Sequence, residues 1–181
     1  MLSLKFKKCT PGRFTAYVAA PLLLLLALNA LAPVVHKHFT LNSTDSLPKG
    51  IYYTKPPVPG SITRGTLVCF KPPGWTHPYI YGRHWARDGA PLMKPVGAVA
   101  GDHVVVTHEA IFINGTSIGP MRDKDSQGRP LPQQPGPESY IVPDGFVLPL
   151  STHIPNSFDG RYFGCIRISQ LLSVAEPLLT F

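Results

Sequence analysis

The chain has 181 residues, a length typical of one domain with an appendage, and 44% of them are apolar, which argues against a disordered chain. Its 21 prolines and 16 glycines argue against an all-helical fold, because proline ends helices and glycine weakens them. The net charge of +7 is uneven: four of the 17 basic residues lie in residues 1–13, which leaves 13 basic and 10 acidic residues in 36–181. So small a surplus on the globular part argues against a nucleic-acid-binding protein.

The first predicted element is an apolar segment that follows the basic N-terminus. Residues 14–35 carry no charge, and Leu22 to Leu26 form an unbroken leucine run. About 20 apolar residues in a helix match the ~30 Å hydrocarbon core of a bilayer, and basic residues on the N-terminal flank keep that end in the cytoplasm. We therefore expect a cytoplasmic N-terminus at 1–13, a transmembrane anchor at 14–35 and an extracytoplasmic domain at 36–181.

A cleaved signal peptide is the alternative for the same segment. Ala30-Leu31-Ala32 resembles a cleavage site, which favours this alternative. Pro33 would directly follow the cut, however, and its ring and missing N–H disfavour an extended substrate pose. We therefore prefer an uncleaved anchor.

Beyond residue 36 the sequence predicts short strands separated by turns. Six segments are rich in β-branched and aromatic residues: Thr66–Phe70, His103–Thr107, Ala110–Ile113, Ser139–Val142, Phe146–Leu150 and Tyr162–Ile168. Asn114-Gly115 is a strong signal for a tight turn, and it places a hairpin between Ala110–Ile113 and a strand that begins at Thr116. We interpret Gly119–Glu138 as an exposed loop and Pro72–Pro91 as an irregular segment. The fold class expected from this pattern is mainly β.

The cysteines leave one question open. Cys69 and Cys165 would both lie on the oxidising side of a bacterial membrane, where they would form either a disulfide or two buried thiols. No CxxC or HExxH pattern is present, so the sequence predicts no metal site and no cofactor.

Three short segments carry residues suited to peptide-bond chemistry: 42–52 (NSTDSLPKGIY), 93–102 (MKPVGAVAGD) and 156–164 (NSFDGRYFG). Taken singly, each has an ordinary structural explanation. Ser46 stands in a turn, and Lys94 suits an edge strand that resists aggregation. Asp159 and Arg161 are two residues apart, so on an extended chain they would form an ion pair on one face.

A serine and a lysine together form a hydrolytic dyad if the lysine loses its proton at working pH. A free lysine has a pKa of about 10.4, so it must be desolvated to act as a base. The neighbours of Lys94 are apolar enough to desolvate it: Leu92, Met93, Val96, Ala98 and Val99. We predict that Ser46 attacks a carbonyl while Lys94 takes its proton and then passes it to the leaving amine. The backbone N–H of Ser46, helped by the Thr44 hydroxyl, would face the oxyanion.

Together the three segments resemble the bacterial type I signal peptidase family, and most closely its conjugative-transfer, TraF-type branch. Residues 42–52 are similar to that branch's pattern Asn-x-Thr-x-Ser-x-Pro-x-Gly-hydrophobic-Tyr. Lys94 lies eight residues before Asp102, like the lysine before the family's Gly-Asp pair, and 156–162 is similar to its Asn-Ser-x-Asp-x-Arg-Tyr box. The order of the segments and the apolar N-terminus also agree, so the resemblance covers nearly the whole chain.

The resemblance implies a role for six side chains. Ser46 would be the nucleophile, Lys94 the general base, and Asp159 a third functional residue of the TraF-type branch. The others would serve the oxyanion (Thr44), orient the lysine (Ser157) and support the site as the partner of Asp159 (Arg161).

The chain also departs from the general signal peptidase pattern. Pro48 lies two residues after Ser46, where general signal peptidases have a proline three residues after the nucleophile. Leu150-Ser151-Thr152 lies where those enzymes have Gly-Asp-Asn. These departures favour the specialised branch.

The fold implied by the resemblance is a signal-peptidase-like antiparallel β fold with one N-terminal transmembrane helix and a variable excursion at about 108–140. The implied function is a serine endopeptidase, held in the bacterial inner membrane by a single pass with a periplasmic catalytic domain. Its implied partners are a pilin-like or other membrane-inserted precursor, membrane lipid and other conjugation or secretion components. The resemblance also implies cyclisation as one outcome for the product, beside hydrolysis. A general signal peptidase is one alternative, and a non-enzymatic anchored subunit of a transfer apparatus is another.

Overall fold

The computed structural model describes residues 11–58, 60–133, 136 and 138–181. The chain divides into two compact units, Met1–Phe39 and Thr40–Phe181. The first unit contains helix α1 (Pro11–His38). Among the described residues, no helix has the length and apolarity that a membrane crossing requires. The anchor expected at 14–35 therefore stays a prediction, and most of the expected cytoplasmic N-terminus lies outside the described residues.

Most of the regular structure beyond α1 is short strands. In chain order they are β1 (Phe39–Asn42), β2 (Gly50–Lys55), β3 (Leu67–Phe70), β4 (Leu92–Val99), β5 (His103–Val106), β6 (Ala110–Ile113), β7 (Thr116–Pro120), β8 (Ser139–Ile141), β9 (Phe146–Pro149), β10 (Ile166–Arg167) and β11 (Leu171–Thr180). The helical pieces are single turns: α2 (His77–Ile80), α3 (Gly160–Phe163) and the 3₁₀ turns Gly74–Thr76 and Ile168–Gln170. The mainly β fold class predicted from the sequence is confirmed.

Within the described residues, the larger sheet has seven strands in the order β1-β2-β11-β3-β4-β9-β10. The C-terminal strand β11 pairs antiparallel with both β2 and β3, so that Ala175 lies opposite Thr54 on one side and Leu67 on the other. Strand β4 lies between β3 and β9, and its Lys94 is opposite Val68. The sheet thereby brings a strand from the chain's end between two from its first half.

The smaller sheet has the order β7-β6-β5-β8. Its hairpin between β6 and β7 turns at Asn114 and Gly115, with φ of 50° and 80°, the positive values that a two-residue hairpin turn needs. The hairpin predicted from the Asn-Gly pair is therefore confirmed. Three of the four strands, β6, β7 and β8, come from the excursion expected at about 108–140. Of these, β6 and β8 pair with β5, which lies outside the excursion, and β7 pairs with β6.

Strand β4 directs alternate side chains into the core. Lys94, Val96 and Ala98 are buried, whereas the residues between them are only half-buried. Val96 packs in a cluster with Phe70 and other side chains of the larger sheet, while Ala98 packs in a second cluster that includes residues of the smaller one. Because side chains along a strand alternate between faces, the lysine shares the face of these core residues. Its burial is thus a consequence of its register.

Two predicted elements differ from the structure. The strand expected over Tyr162–Ile168 is wrong: α3 occupies Gly160–Phe163, and only Ile166–Arg167 is extended. The Asp159 carboxylate caps α3 by accepting a hydrogen bond from the Arg161 N–H, which favours a helical turn over a strand.

The loop expected over Gly119–Glu138 is not uniformly exposed. Its first residues complete β7, and Met121 is buried. Farther along, the Asp125 carboxylate accepts hydrogen bonds from Arg83 and from Arg129, at 2.9 and 2.7 Å. Its side chain is nearly inaccessible, so this part of the loop is fastened to the protein by ion pairs.

Candidate active site

Ser46 lies in the turn between β1 and β2, and Asn42 organises that turn. The two N–H groups of the Asn42 amide donate to three carbonyls, those of Thr44, Leu47 and Pro48, at 3.0, 3.0 and 3.1 Å, so that one N–H is shared between two of them. Its side-chain oxygen accepts hydrogen bonds from the backbone N–H and the hydroxyl of Thr44. A short polar side chain that bonds to nearby backbone groups is the usual way to stabilise a tight turn. One asparagine therefore holds both sides of Ser46.

The Ser46 hydroxyl is oriented by its neighbour. Ser46 is buried, and its Oγ lies 3.2 Å from the Oγ1 of the exposed Thr44. The Thr44 hydroxyl hydrogen is directed to Asn42 Oδ1, 2.8 Å away, so Ser46 is the donor in this pair. The structure thus places the hydroxyls of Ser46 and Thr44 in contact, and the predicted role of Thr44 at the oxyanion stays a prediction.

Lys94 projects from β4 into the interior, where 5% of it is exposed. Its ammonium donates a hydrogen bond to the Oγ of the buried Ser157, at 3.0 Å. Burial lowers the pKa of Lys94 to about 8, with the Asp159 carboxylate acting in the opposite direction and the Arg161 guanidinium adding to the lowering. An appreciable fraction of this lysine is therefore neutral near pH 8, as a general base must be.

Asp159 and Arg161 form a buried ion pair at the start of α3. The Arg161 guanidinium donates to both carboxylate oxygens, from Nε at 2.9 Å and from Nη2 at 3.3 Å. It also donates to the carbonyl of Pro120 in β7, at 2.9 Å, and to that of Ser151, at 2.7 Å. Both charges are desolvated, so each requires the other as its counter-ion. The two bonds to carbonyls use two of the three guanidinium N–H groups that the carboxylate leaves over. The pair fastens α3 to the smaller sheet.

Ser151 was not predicted as a site residue. It is fully buried in the loop after β9, and its hydroxyl donates to the Ser46 carbonyl, at 2.6 Å. Its N–H donates to the Asp159 carboxylate, at 3.0 Å. The only sequence signal was that Leu150-Ser151-Thr152 departs from the signal peptidase pattern. Its hydrogen bond to the Ser46 carbonyl could not be predicted, because every residue carries a backbone carbonyl.

The six predicted residues thus form three contact groups: Thr44 with Ser46, Lys94 with Ser157, and Asp159 with Arg161. Ser151 links the first group to the third. Among the hydrogen bonds of the described residues, none joins Ser46 Oγ directly to Lys94 Nζ. The Ser-Lys dyad therefore stays a prediction.

Aromatic side chains pack beside the lysine's partner. Phe158, the residue after Ser157, stacks on Tyr162 with ring centroids 5.1 Å apart and on Tyr79 at 5.9 Å. Trp85 contacts the same ring. The irregular segment expected at Pro72–Pro91 thus contributes packing around the candidate site.

Asp102, which ends the second of the three sequence segments, has a structural role. Its carboxylate accepts hydrogen bonds from the Arg64 guanidinium, from the Val99 N–H at 2.8 Å and from the Asn114 amide at 2.9 Å. These bonds fasten the turn after β4 to the β6–β7 hairpin. The segment that supplies Lys94 is therefore held rigidly at its far end.

The cysteine and metal questions have simple outcomes. Cys69 and Cys165 are both free thiols; Cys69 is buried and Cys165 half-buried, and burial raises the pKa of Cys165 to about 11. Across the described part of the chain, no group of three or more histidine, cysteine, aspartate or glutamate side chains is placed to hold a metal ion.

The chain is similar to known peptidases and transfer proteins. The family described as "Signal peptidase, peptidase S26" matches residues 13–179. A plasmid transfer protein TraF from Escherichia coli is 33% identical over 186 residues, which cover 97% of each chain. A second from Escherichia coli is 35% identical over 150 residues, 78% of this chain and 82% of that protein. A conjugal transfer protein TraF from Agrobacterium fabrum is 32% identical over 152 residues, 79% of this chain and 83% of that protein.

Among solved structures, a signal peptidase I from Enterococcus faecalis is similar to this chain. It matches with a TM-score of 0.39 and 22% sequence identity, over 66% of this chain and 98% of that one.

Proposed function

The chain belongs to the S26 signal peptidase family, and on that premise we propose that it is a membrane-anchored serine endopeptidase that cuts a precursor during conjugative transfer. The observation that carries this proposal is the state of Lys94. A lysine with 5% exposure and a pKa of about 8 is costly for a purely structural position, and perturbed groups of this kind concentrate at catalytic sites.

In the proposed mechanism Ser46 Oγ attacks the scissile carbonyl and Lys94 accepts its proton. The new C–O bond makes an acyl-enzyme ester as the peptide C–N bond breaks, and Lys94 returns the proton to the leaving amine. Ser157 holds the Lys94 amine through its hydrogen bond, and Asp159 balances the charge of the protonated lysine. The carboxylate thus moderates a pKa that burial would lower further.

The oxyanion would be held by the backbone N–H of Ser46 and by the Thr44 hydroxyl. That hydroxyl now donates to Asn42 Oδ1, so in the proposed reaction it rotates to donate to the developing oxyanion instead. Asn42 keeps its three bonds to backbone carbonyls during this rotation, which leaves the turn in place.

The proposed substrate is a membrane-inserted pilin-like precursor, because the relatives in Escherichia coli and Agrobacterium fabrum are transfer proteins. Attack by the substrate's own terminal amine on the ester would release a cyclic product, and attack by water a linear one. Either nucleophile frees Ser46, and only the linear product gains a water molecule.

The proposed location is the bacterial inner membrane, with the catalytic domain in the periplasm. The support is the surface of α1, where the leucine run from Leu22 to Leu26 is exposed in every member. Exposed leucines in an uncharged helical segment are suited to lipid.

The test is the intact mass of a pilin-like precursor co-expressed with the wild-type protein, with Ser46→Ala and with Ser43→Ala. Ser43 is an exposed serine of the same turn and serves as the matched control. We expect a shortened product with the wild type and Ser43→Ala, and uncut precursor with Ser46→Ala. Processing by Ser46→Ala would contradict the peptidase role and favour a non-enzymatic subunit. The product's mass, with or without one added water, distinguishes hydrolysis from cyclisation.

A further inference from the structure

Three polar groups of Ser151 bond in three directions. The hydroxyl donates to the Ser46 carbonyl at 2.6 Å and accepts a hydrogen bond from the His153 N–H at 3.3 Å. The N–H donates to the Asp159 carboxylate at 3.0 Å. The carbonyl accepts a hydrogen bond from Arg161 Nη2 at 2.7 Å. Ser151 is 0% exposed, so none of these bonds competes with water. One buried serine therefore joins the turn that holds the nucleophile to the ion pair beside the lysine.

The two backbone hydrogen bonds fix the main chain of Ser151, and its hydroxyl in turn holds the Ser46 carbonyl in place. Asp159 and Arg161 hold the main chain of Ser151 from both sides, and this pair is anchored in turn to Pro120. The hydroxyl then meets the carbonyl of Ser46, one bond from the carbon that bears the nucleophilic side chain. Asn42 grips the same turn at residues 44, 47 and 48 but not at Ser46 itself.

From this geometry we infer that Ser151 is a positioning residue for the nucleophile, an inference that rests on the proposed function. By holding the Ser46 carbonyl, it fixes the rotation of that residue and so the direction of Oγ. A displacement of about 1 Å in a reacting group can reduce a rate about 100-fold. Ser151 itself touches neither substrate nor transferred proton.

The test variant is Ser151→Ala, which removes the hydroxyl together with its bonds to the Ser46 carbonyl and the His153 N–H. It leaves the two bonds of the Ser151 backbone intact. We expect kcat per folded molecule to fall about 10- to 100-fold, the effect of leaving one buried carbonyl unpaired beside the reacting group. KM should stay the same, because Ser151 does not touch the substrate. The pH midpoint of kcat/KM should also stay, because the contacts around Lys94 remain.

Thr76→Val is the matched control. Thr76 is also fully buried, and its hydroxyl also donates to a backbone carbonyl at 2.6 Å, that of Pro73, outside the site. We expect both variants to lose thermal stability, and only Ser151→Ala to lose kcat per folded molecule. Equal kcat in the two variants would overturn the inference and make Ser151 structural.

Ser151→Thr tests whether a retained hydroxyl is enough to preserve the rate. Ser151 lines a pocket of about 120 Å³ together with Ile118, Ile154 and Arg161, and threonine keeps the hydroxyl while it adds one methyl group. We expect this variant to keep most of the wild-type kcat; a folded Ser151→Thr as slow as Ser151→Ala would count against the inference. If Ser151→Ala does not fold, Ser151→Cys takes its place, because a thiol is a weaker hydrogen-bond donor of similar shape. We expect Ser151→Cys to have an intermediate kcat. A wild-type kcat in this variant would overturn the inference.

Ser46→Ala, assayed in parallel on the same purified precursor, separates the two claims. If Ser46→Ala still cuts the precursor, the proposed function fails. If it does not cut and Ser151→Ala keeps the wild-type kcat, only the positioning role fails.

Discussion

The ammonium of Lys94 donates a hydrogen bond to the hydroxyl of Ser157, 3.0 Å away, with both residues at most 5% exposed. A buried lysine with a hydroxyl partner loses most of its hydration and gains one acceptor in return. That exchange explains why its pKa is lowered although a carboxylate is nearby. The relationship makes Lys94 the residue on which most of the following predictions depend.

Lys94→Arg should abolish processing. Arginine keeps its proton at any working pH, so it cannot accept the one that Ser46 releases. Lys49→Arg is the matched control, because Lys49 is an exposed lysine in the Ser46 turn that pairs with Asp45 at 2.8 Å. The measurement is the initial rate of precursor cleavage. Wild-type rates in a folded Lys94→Arg protein would exclude Lys94 as the base.

The pH profile should report the same lysine. Activity requires neutral Lys94, so kcat/KM should rise with pH through about 8 and level off above it. The assay is cleavage of the precursor from pH 6 to 10, in buffers of constant ionic strength. A rate that does not change between pH 6.5 and 8.5 would mean that another group takes the proton.

The burial of Lys94 should also make the stability of the fold depend on pH. The pKa of Lys94 is lower in the folded than in the unfolded protein, so the unfolded chain binds the extra proton between about pH 8 and 10.5, and stability rises with pH across that window. Below pH 8, the free energy of unfolding of Lys94→Met should be about 1–3 kcal/mol larger than that of the wild type, because methionine buries no charge. Urea unfolding at pH 6 and pH 10 checks this, and an equal difference at both would contradict it.

Asp159→Asn should have two separable effects. Removing the carboxylate leaves the Arg161 guanidinium buried without a counter-ion, which should cost about 3–5 kcal/mol of unfolding free energy. The pKa of Lys94 should fall, because Asp159 raises it, so the rise in kcat/KM should move to lower pH. The control is Asp144→Asn, an exposed aspartate before β9. A folded Asp159→Asn protein with an unshifted pH profile would contradict the claim that Asp159 raises the pKa of Lys94.

Asn42→Asp should disable the nucleophile without unfolding the domain. The substitution keeps the shape but replaces an amide that donates to three carbonyls with a carboxylate that repels them. Only the turn depends on these bonds, so we expect kcat to fall at least about 10-fold while the core strands stay protected from hydrogen exchange. Loss of protection in β4 and β9 would instead show that Asn42 supports the whole fold.

Much of the fold could be predicted because its signals are local. Five of the six predicted strands form within a residue or two of the expected bounds, and Asn114-Gly115 specifies its hairpin through positive φ. Strand β11 was not predicted, although it lies inside the larger sheet between β2 and β3. Its sequence, LLSVAEPLLT, contains a proline and no regular alternation, and its pairing partners are about 100 residues away.

The sequence yields candidate site residues where the side chain itself carries the chemistry. Lys94 stands among apolar neighbours in the sequence, and its burial in β4 follows from that pattern. The roles of Asn42 and Ser151 were not predictable, because both act on backbone carbonyls that every residue possesses. The helical turn at Gly160–Phe163 was hidden by aromatic residues that favour strands.

The most direct test of the Ser46 nucleophile is the covalent intermediate. The purified protein would be mixed with the precursor, quenched in acid within seconds, and digested for peptide mass mapping. The account predicts an alkali-labile acyl group on the peptide that contains Ser46, absent from the Ser46→Ala protein. An acyl group on another residue, or one that persists in Ser46→Ala, would contradict it.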